Sequence, residues 1–142
     1  MTWLPRETVV VPIDFSEESF AALATAAELA ADPNHIELIH VLPLLEPAAP
    51  GVIWHTVDDE SRSTHAAEAL RKELAGRGRR VGRITIRIGD PGREIATYAD
   101  EVSAGLIVIS SHGRSGLERL LIGSVADRVV RLAHCPVLVL RR

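Results

Sequence analysis

The residues best placed to do chemistry are Ser110-Ser111-His112-Gly113 and, after a gap of nine residues, Gly123-Ser124. The first group follows the apolar run Ile107-Val108-Ile109, and the second opens an amphipathic stretch. Strand, tight polar loop and helix start in that order bring backbone N–H groups together where they can bind phosphate oxygens. Val125 and Ala126 would add the N–H groups of a first helical turn. A nucleotide is the ligand this arrangement implies. Ser124 also has a purely local reading, because Ser124-Val125-Ala126-Asp127 has the form of a capping box. His112 can offer a ring nitrogen to a phosphate, or stand in solvent as a loop residue. Arg114 and Arg119 can neutralise phosphate charge or remain solvated.

Asp14 is the second candidate. It ends the β-branched run Thr8-Val9-Val10-Val11-Pro12-Ile13, where a carboxylate can bind ribose hydroxyls or help hold Mg²⁺ on a phosphate. The same position suits a turn residue before a helix.

Other chemistries lack their residues. Lys72 is the only lysine and lies far from any glycine-rich loop, so there is no P-loop, and a Schiff-base enzyme would depend on Lys72 alone. Six histidines show neither His-Glu-x-x-His nor a paired-cysteine spacing, which leaves zinc without support. Cys135, the single cysteine, excludes an internal disulfide and precedes Pro136 at a helix-to-strand junction, the setting of a buried inert thiol. Ser110 and Ser111 lack the Gly-x-Ser-x-Gly elbow of a hydrolase nucleophile. No group is placed as an evident general base, so weak or partner-dependent hydrolysis of a nucleotide is the most catalysis expected.

The elements that must position these residues alternate strand and helix. Thr8 to Ile13 reads as a strand buried on both faces. Ser16 caps a helix with Glu17 and Glu18 in its first turn, stopped at Asp32-Pro33-Asn34. Ile36 to Val41 is a second strand. Pro43, Pro47, Pro50 and Gly51 then mark a long irregular segment, of the kind that covers a ligand or moves. A helix runs from about Asp58 to Ala75 and ends at Gly76 or Gly78. Val81 to Ile88 is a third strand, amphipathic enough for a sheet edge. Asp90-Pro91 opens a helix carrying Ile95, Tyr98, Ala99 and Val102. Leu106 to Ile109, Ser124 to Ala133 and Pro136 to Leu140 complete the series as strand, helix and strand.

Right-handed crossovers between such elements give a doubly wound α/β layer, with five parallel strands and helices on both faces. Ligands bind there beyond the carboxyl ends of the strands, where strand order reverses. Asp14, Val41, Gly89 and the Ser110 to Gly113 loop all follow such ends.

Val11-Pro12-Ile13-Asp14-Phe15-Ser16, His40-Val41, Ser110-Ser111-His112-Gly113 with nine residues to Gly123-Ser124, and Cys135-Pro136-Val137-Leu138-Val139 together resemble the universal stress protein family across the whole chain. The resemblance implies a Rossmann-like fold, a homodimer, and membership of a branch that binds ATP or of one that does not. The ATP-binding motif is Gly-x-x-Gly, nine residues, then Gly-Ser or Gly-Thr. Gly113, Gly123 and Ser124 match it, while Ser110 stands at the first glycine and adds a side chain beside the nucleotide. The resemblance further implies that Val41 packs on adenine, with Pro12 and Ile13 supplying apolar surface and backbone groups nearby. Ile109 and Ser110 close the site from the fourth strand. ATP, with or without Mg²⁺, would act as a regulatory ligand in a stress response. A homodimeric interaction module that recognises an unknown protein partner without nucleotide is the alternative.

At 142 residues and 46% hydrophobic content the chain suits one domain, residues 1–142. A net charge of −3 argues against a protein built for nucleic acid or an anionic membrane surface. Arg77, Arg79, Arg80, Arg83 and Arg87 begin at a helix end, where cations complement exposed carbonyls. Met1 to Glu7 lacks a basic region followed by an apolar core, and no apolar run approaches membrane-spanning length, so the expected location is cytoplasmic. The apolar last strand, Val137 to Leu140, is an edge to be covered by dimerisation.

Overall fold

A computed structural model describes residues 2–45, 58–112 and 122–141. Its elements are β1 (Val9–Pro12), α1 (Glu17–Leu29), a 3-10 turn (Pro33–His35), β2 (Ile36–Leu42), α2 (Asp59–Arg77), β3 (Arg83–Ile88), α3 (Pro91–Glu101), β4 (Leu106–Ser110), α4 (Ser124–Leu132) and β5 (Val137–Leu140). The five strands form one parallel sheet in the order β3-β2-β1-β4-β5. Strand order therefore reverses between β1 and β4.

Side-chain alternation along β1 explains why the sheet must be covered twice. Val9 and Val11 join Leu23, Leu38, Leu70 and Val108 under α1 and α2. Val10 joins Ile39, Ile95, Tyr98, Ile107, Ile109, Ala126 and Val129 under α3 and α4. Both edges are wetter. On β3, Arg83 pairs with Glu37 and Arg87 with Glu101, and the Thr85 hydroxyl donates to the Tyr98 phenol oxygen at 3.0 Å. On β5, Leu138 is exposed.

Boundaries moved where tertiary contacts override local pattern. The third strand starts at Arg83 rather than Val81, because the chain enters it pressed against the preceding 3-10 turn: a Cβ on Gly82 would lie 2.1 Å from the Asn34 carbonyl oxygen. α1 ends at Leu29, and Asp32-Pro33-Asn34 serves the 3-10 turn instead, with the Asp32 carboxylate accepting from the Asn34 N–H. α2 runs on to Arg77, and Gly78, at φ 64°, takes the left-handed cap that a side chain disfavours. Pro47, Pro50 and Gly51 lie outside the described residues. Among the arginines, Arg77 meets Glu17 and Glu73 and stacks on Phe20, so the basic cluster's start is an ion-paired helix end.

Candidate functional site

A cavity of about 300 Å³ opens at the carboxyl ends of β1, β2 and β4, at the reversal of strand order. Pro12, Ile13, Ile39, Val41, Ile95 and Ile109 give it an apolar floor and wall. Asp14, Ser19, His40, Ser110, Ser111 and Ser124 give it polar groups, and Gly123, Val125 and Ala126 line it from the start of α4. Ten of the expected residues thus meet in one place. Gly113, Arg114 and Arg119 lie outside the described residues.

The end of β1 is closed by its neighbour. The Ile13 N–H donates to the Ile39 carbonyl at 2.8 Å, and His40 Nδ1 lies 2.6 Å from the Ile13 carbonyl oxygen. A carbonyl only accepts, so Nδ1 carries the proton. Both backbone groups of Ile13 are therefore engaged inside the protein, and its side chain packs with Phe20 and Leu23 in the core under α1, so Ile13 borders the cavity from the end of β1. Val41 differs. The Ile39 carbonyl points toward β1 and the Leu42 carbonyl accepts from Gly89 on the other side. By alternation, Val41 directs its N–H and C=O toward the β1 side, at the cavity.

Asp14 both lines the cavity and organises the turn into α1. Its Oδ1 accepts from the Ser16 N–H at 3.0 Å and from the Ser16 hydroxyl. Ser16 Oγ in turn accepts from the Ser19 N–H at 3.1 Å, and the Ser19 hydroxyl donates to the Ser16 carbonyl at 2.8 Å. The turn reading of Asp14 is what these contacts show, and the same residue borders the cavity.

At α4 the capping box does not form. Gly123 is the N-cap and Ser124 is already helical, so the first turn has no side-chain capping bond. Contact with the β4 loop sets this start: the Gly123 N–H donates to the Ser111 carbonyl at 2.6 Å, and a Cβ on Gly123 would lie 2.6 Å from that oxygen. Among the described residues no side chain caps the N–H groups of this first turn, and Val125 and Ala126 line the cavity.

His112 is not a solvated loop residue. It is 4% exposed, its Nδ1 lies 3.2 Å from the Ser111 hydroxyl, and its Nε2 has no partner among the described residues. It lies behind Ser111 rather than in the cavity lining. Gly89 also stays out, because β3 is at the sheet edge, two strands from the reversal; α3 contributes Pro91 and Ile95 instead. Ser111 came with its loop, whereas the sequence reading did not single out Ser19, Ile39, His40, Pro91 or Ile95 as cavity residues. His40 beside Val41 carried a usable signal, whereas Ile39 and Ile95 read as ordinary core.

Cys135 lies at the opposite end of the sheet, before β5. Burial, followed by the nearby Asp100 carboxylate, pushes its thiol above the ordinary range, which keeps it protonated and unreactive. Among the described residues, no group of three His, Cys, Asp or Glu side chains could hold a metal ion.

The universal stress protein family model matches residues 5–141. The chain belongs to this family. Universal stress protein MJ0531 of Methanocaldococcus jannaschii is 33% identical over 140 residues, which cover 94% of this chain and 81% of that one. Among solved structures, universal stress protein UspA from Lactobacillus plantarum matches with a TM-score of 0.73 at 26% identity, over 96% of this chain and 99% of that one. A universal stress protein in complex with cAMP matches with a TM-score of 0.59 at 26% identity, over 96% and 98%. The parallel five-stranded fold is that of the family. No helix among the described residues is long and apolar enough to cross a membrane.

Proposed function

We propose that this universal stress protein binds ATP as a regulatory ligand in the cavity between β1 and α4, acting in the cytoplasm during a stress response. The observation that carries the reading is the start of α4, which lines the cavity without a side-chain cap. It leaves donors and the positive end of the helix for phosphate. The base would lie on Val41 and the isoleucine floor, the ribose near Asp14, and the phosphates at Gly123 to Ala126 beside Ser110. The relative in complex with cAMP supports an adenine nucleotide as the ligand class. With no three-ligand metal cluster among the described residues, Mg²⁺ would arrive on the phosphates, with Asp14 as its protein contact. Hydrolysis, if any, is slow.

The test is thermal. With Mg²⁺ and ATP tenfold above its Kd, Tm should rise by roughly 3–6 °C; no rise at millimolar ATP would refute the reading. Ser110→Gly should enlarge the shift and Gly113→Val should remove it.

A second reading rests on the Ser110 side chain in the cavity and on exposed apolar side chains such as Leu138 on the edge strand β5. It makes the chain a homodimeric interaction module without nucleotide, and indifference of Tm to ATP in all three proteins would favour it. Dimerisation through β5 belongs to both readings, and light scattering should report twice the chain mass.

A further inference from the structure

The apolar wall and the anion-binding wall of the cavity stand on different helices. Pro91 and Ile95 belong to α3, and Ser124, Val125 and Ala126 to α4. Their separation therefore depends on how α3 packs against α4, away from the cavity itself. Beside the shared core of Ile95, Ala99, Ala126 and Val129, two contacts fix that packing at the start of α3. Gly92, buried in the first turn of α3, is so close to Arg128 of α4 that an added Cβ would lie 2.7 Å from its Cβ and 2.8 Å from its Cγ and Cδ. No left-handed conformation is required of Gly92, so glycine is there for space. Beside it, Asp90 Oδ2 accepts from Arg128 Nε at 2.8 Å and from the Arg93 N–H at 3.0 Å. One carboxylate oxygen thus caps α3 and holds α4.

Asp90 and Arg128 are each 47% exposed, too open to solvent for their ion pair to add much to overall stability. Its consequence lies in geometry. Hydrogen bonds from backbone N–H groups to an anion weaken steeply as distance and angle drift, so a small displacement of α4 changes phosphate binding more than it changes burial of a base.

The geometry points to Asp90, Gly92 and Arg128 as positioning residues that set the distance of the α4 N-terminus from the base-binding wall, and so the share of affinity that comes from phosphate. This rests on the nucleotide reading above. Gly92→Ala pushes α4 off α3 by steric contact with the Arg128 stem. Asp90→Asn keeps an N-cap for α3 and removes the charge that holds Arg128.

The experiment is calorimetric titration of ATP and of adenosine into the unaltered protein, Asp90→Asn and Gly92→Ala, at one salt concentration. The ratio of ATP to adenosine affinity should fall roughly tenfold in Gly92→Ala and roughly threefold in Asp90→Asn, with adenosine binding retained. A ratio unchanged in Asp90→Asn overturns the positioning role, whether or not Gly92→Ala folds. Equal losses for both ligands also overturn it, since they would mean general loosening. If the unaltered protein binds neither ligand, the nucleotide reading fails, an outcome distinct from either of these.

Discussion

The N-termini of α1 and α4 reach the same cavity and are finished in opposite ways. At α1, Ser16 accepts from Ser19, Asp14 accepts from Ser16, and Glu17 and Glu18 occupy the first turn. That end is capped by a side chain and already negative. At α4, Gly123 has no side chain to cap with, and its N–H is spent on the Ser111 carbonyl. α2 and α3 resemble α1, since Asp58 accepts from the Ser61 N–H and Asp90 from the Arg93 N–H. A helix start left open beside an apolar cavity, in a chain that caps its other helices with side chains, is positioned for an external anion rather than for stability.

The most damaging way to break this contrast is to fill Gly123. In Gly123→Val the new Cβ collides with the Ser111 carbonyl, which is backbone and cannot turn aside. Overpacking of this kind costs about 1–3 kcal/mol, and the first turn of α4 must shift with it. The expected result is a lower Tm in the absence of nucleotide, together with loss of the ATP-dependent rise. A Tm that still rises normally with ATP would mean that phosphate does not bind at this turn.

A milder change makes α4 resemble α1. Ser124→Asp places a carboxylate in the first turn of α4, where the helix dipole favours it by about 0.3–1 kcal/mol. It also places negative charge where phosphate would sit. Stability without nucleotide should rise slightly while ATP affinity falls roughly tenfold, equivalent to about 1.4 kcal/mol. Titration calorimetry beside thermal denaturation separates the two effects, and a fall in both would show that Ser124 is simply structural.

Ser16→Ala tests the other helix. Loss of an N-cap costs about 0.5–2 kcal/mol of stability. Asp14 keeps its bond from the Ser16 N–H, so ATP affinity should hold within about twofold, because a neutral hydroxyl that faces the turn gives a ligand little. A large loss of affinity would mean that α1 shares the anion site.

The contrast also marks what sequence could convey. Helical and strand periodicity, a glycine cap and a proline at a helix start are local, and they placed the five strands and four α-helices within a few residues, though not the 3-10 turn. Right-handed crossovers implied the parallel sheet, and the observed order β3-β2-β1-β4-β5 brings Asp14, Val41 and Ser124 to one cavity. What failed was non-local. Ser124 has the residue type of a cap, but the Gly123 to Ser111 contact moves the helix start by one residue. Gly89 follows a strand as Asp14 does, yet β3 runs at the sheet edge and carries it away. Ile95 counts as core by spacing, and only the fold reveals that one side of that core is the cavity wall. His112 looks soluble in a polar loop and is buried behind Ser111.

The smallest effect separates the two helix ends by acid. The Glu17 carboxyl is held below its ordinary value, first by the hydrogen bond from Arg77 and then by the Arg77 charge. A folded-state value below the unfolded one means that the stabilisation is present above the ordinary glutamate range. It is lost as pH falls through the folded value. Acidification should therefore loosen the start of α1, which Glu17 ties to the C-terminal turn of α2 through Arg77. Glu17 and Arg77 are exposed there, so the change is local fraying rather than unfolding. Amide hydrogen exchange, corrected for the intrinsic effect of pH, should show protection in the first turn of α1 falling with acid while the middle of α4 holds steady. Glu17→Gln should abolish that difference and leave ATP binding at neutral pH unchanged, because Glu17 does not line the cavity. If the variant instead weakens ATP binding, the start of α1 is coupled to the site, and its side-chain cap does not isolate it from the ligand.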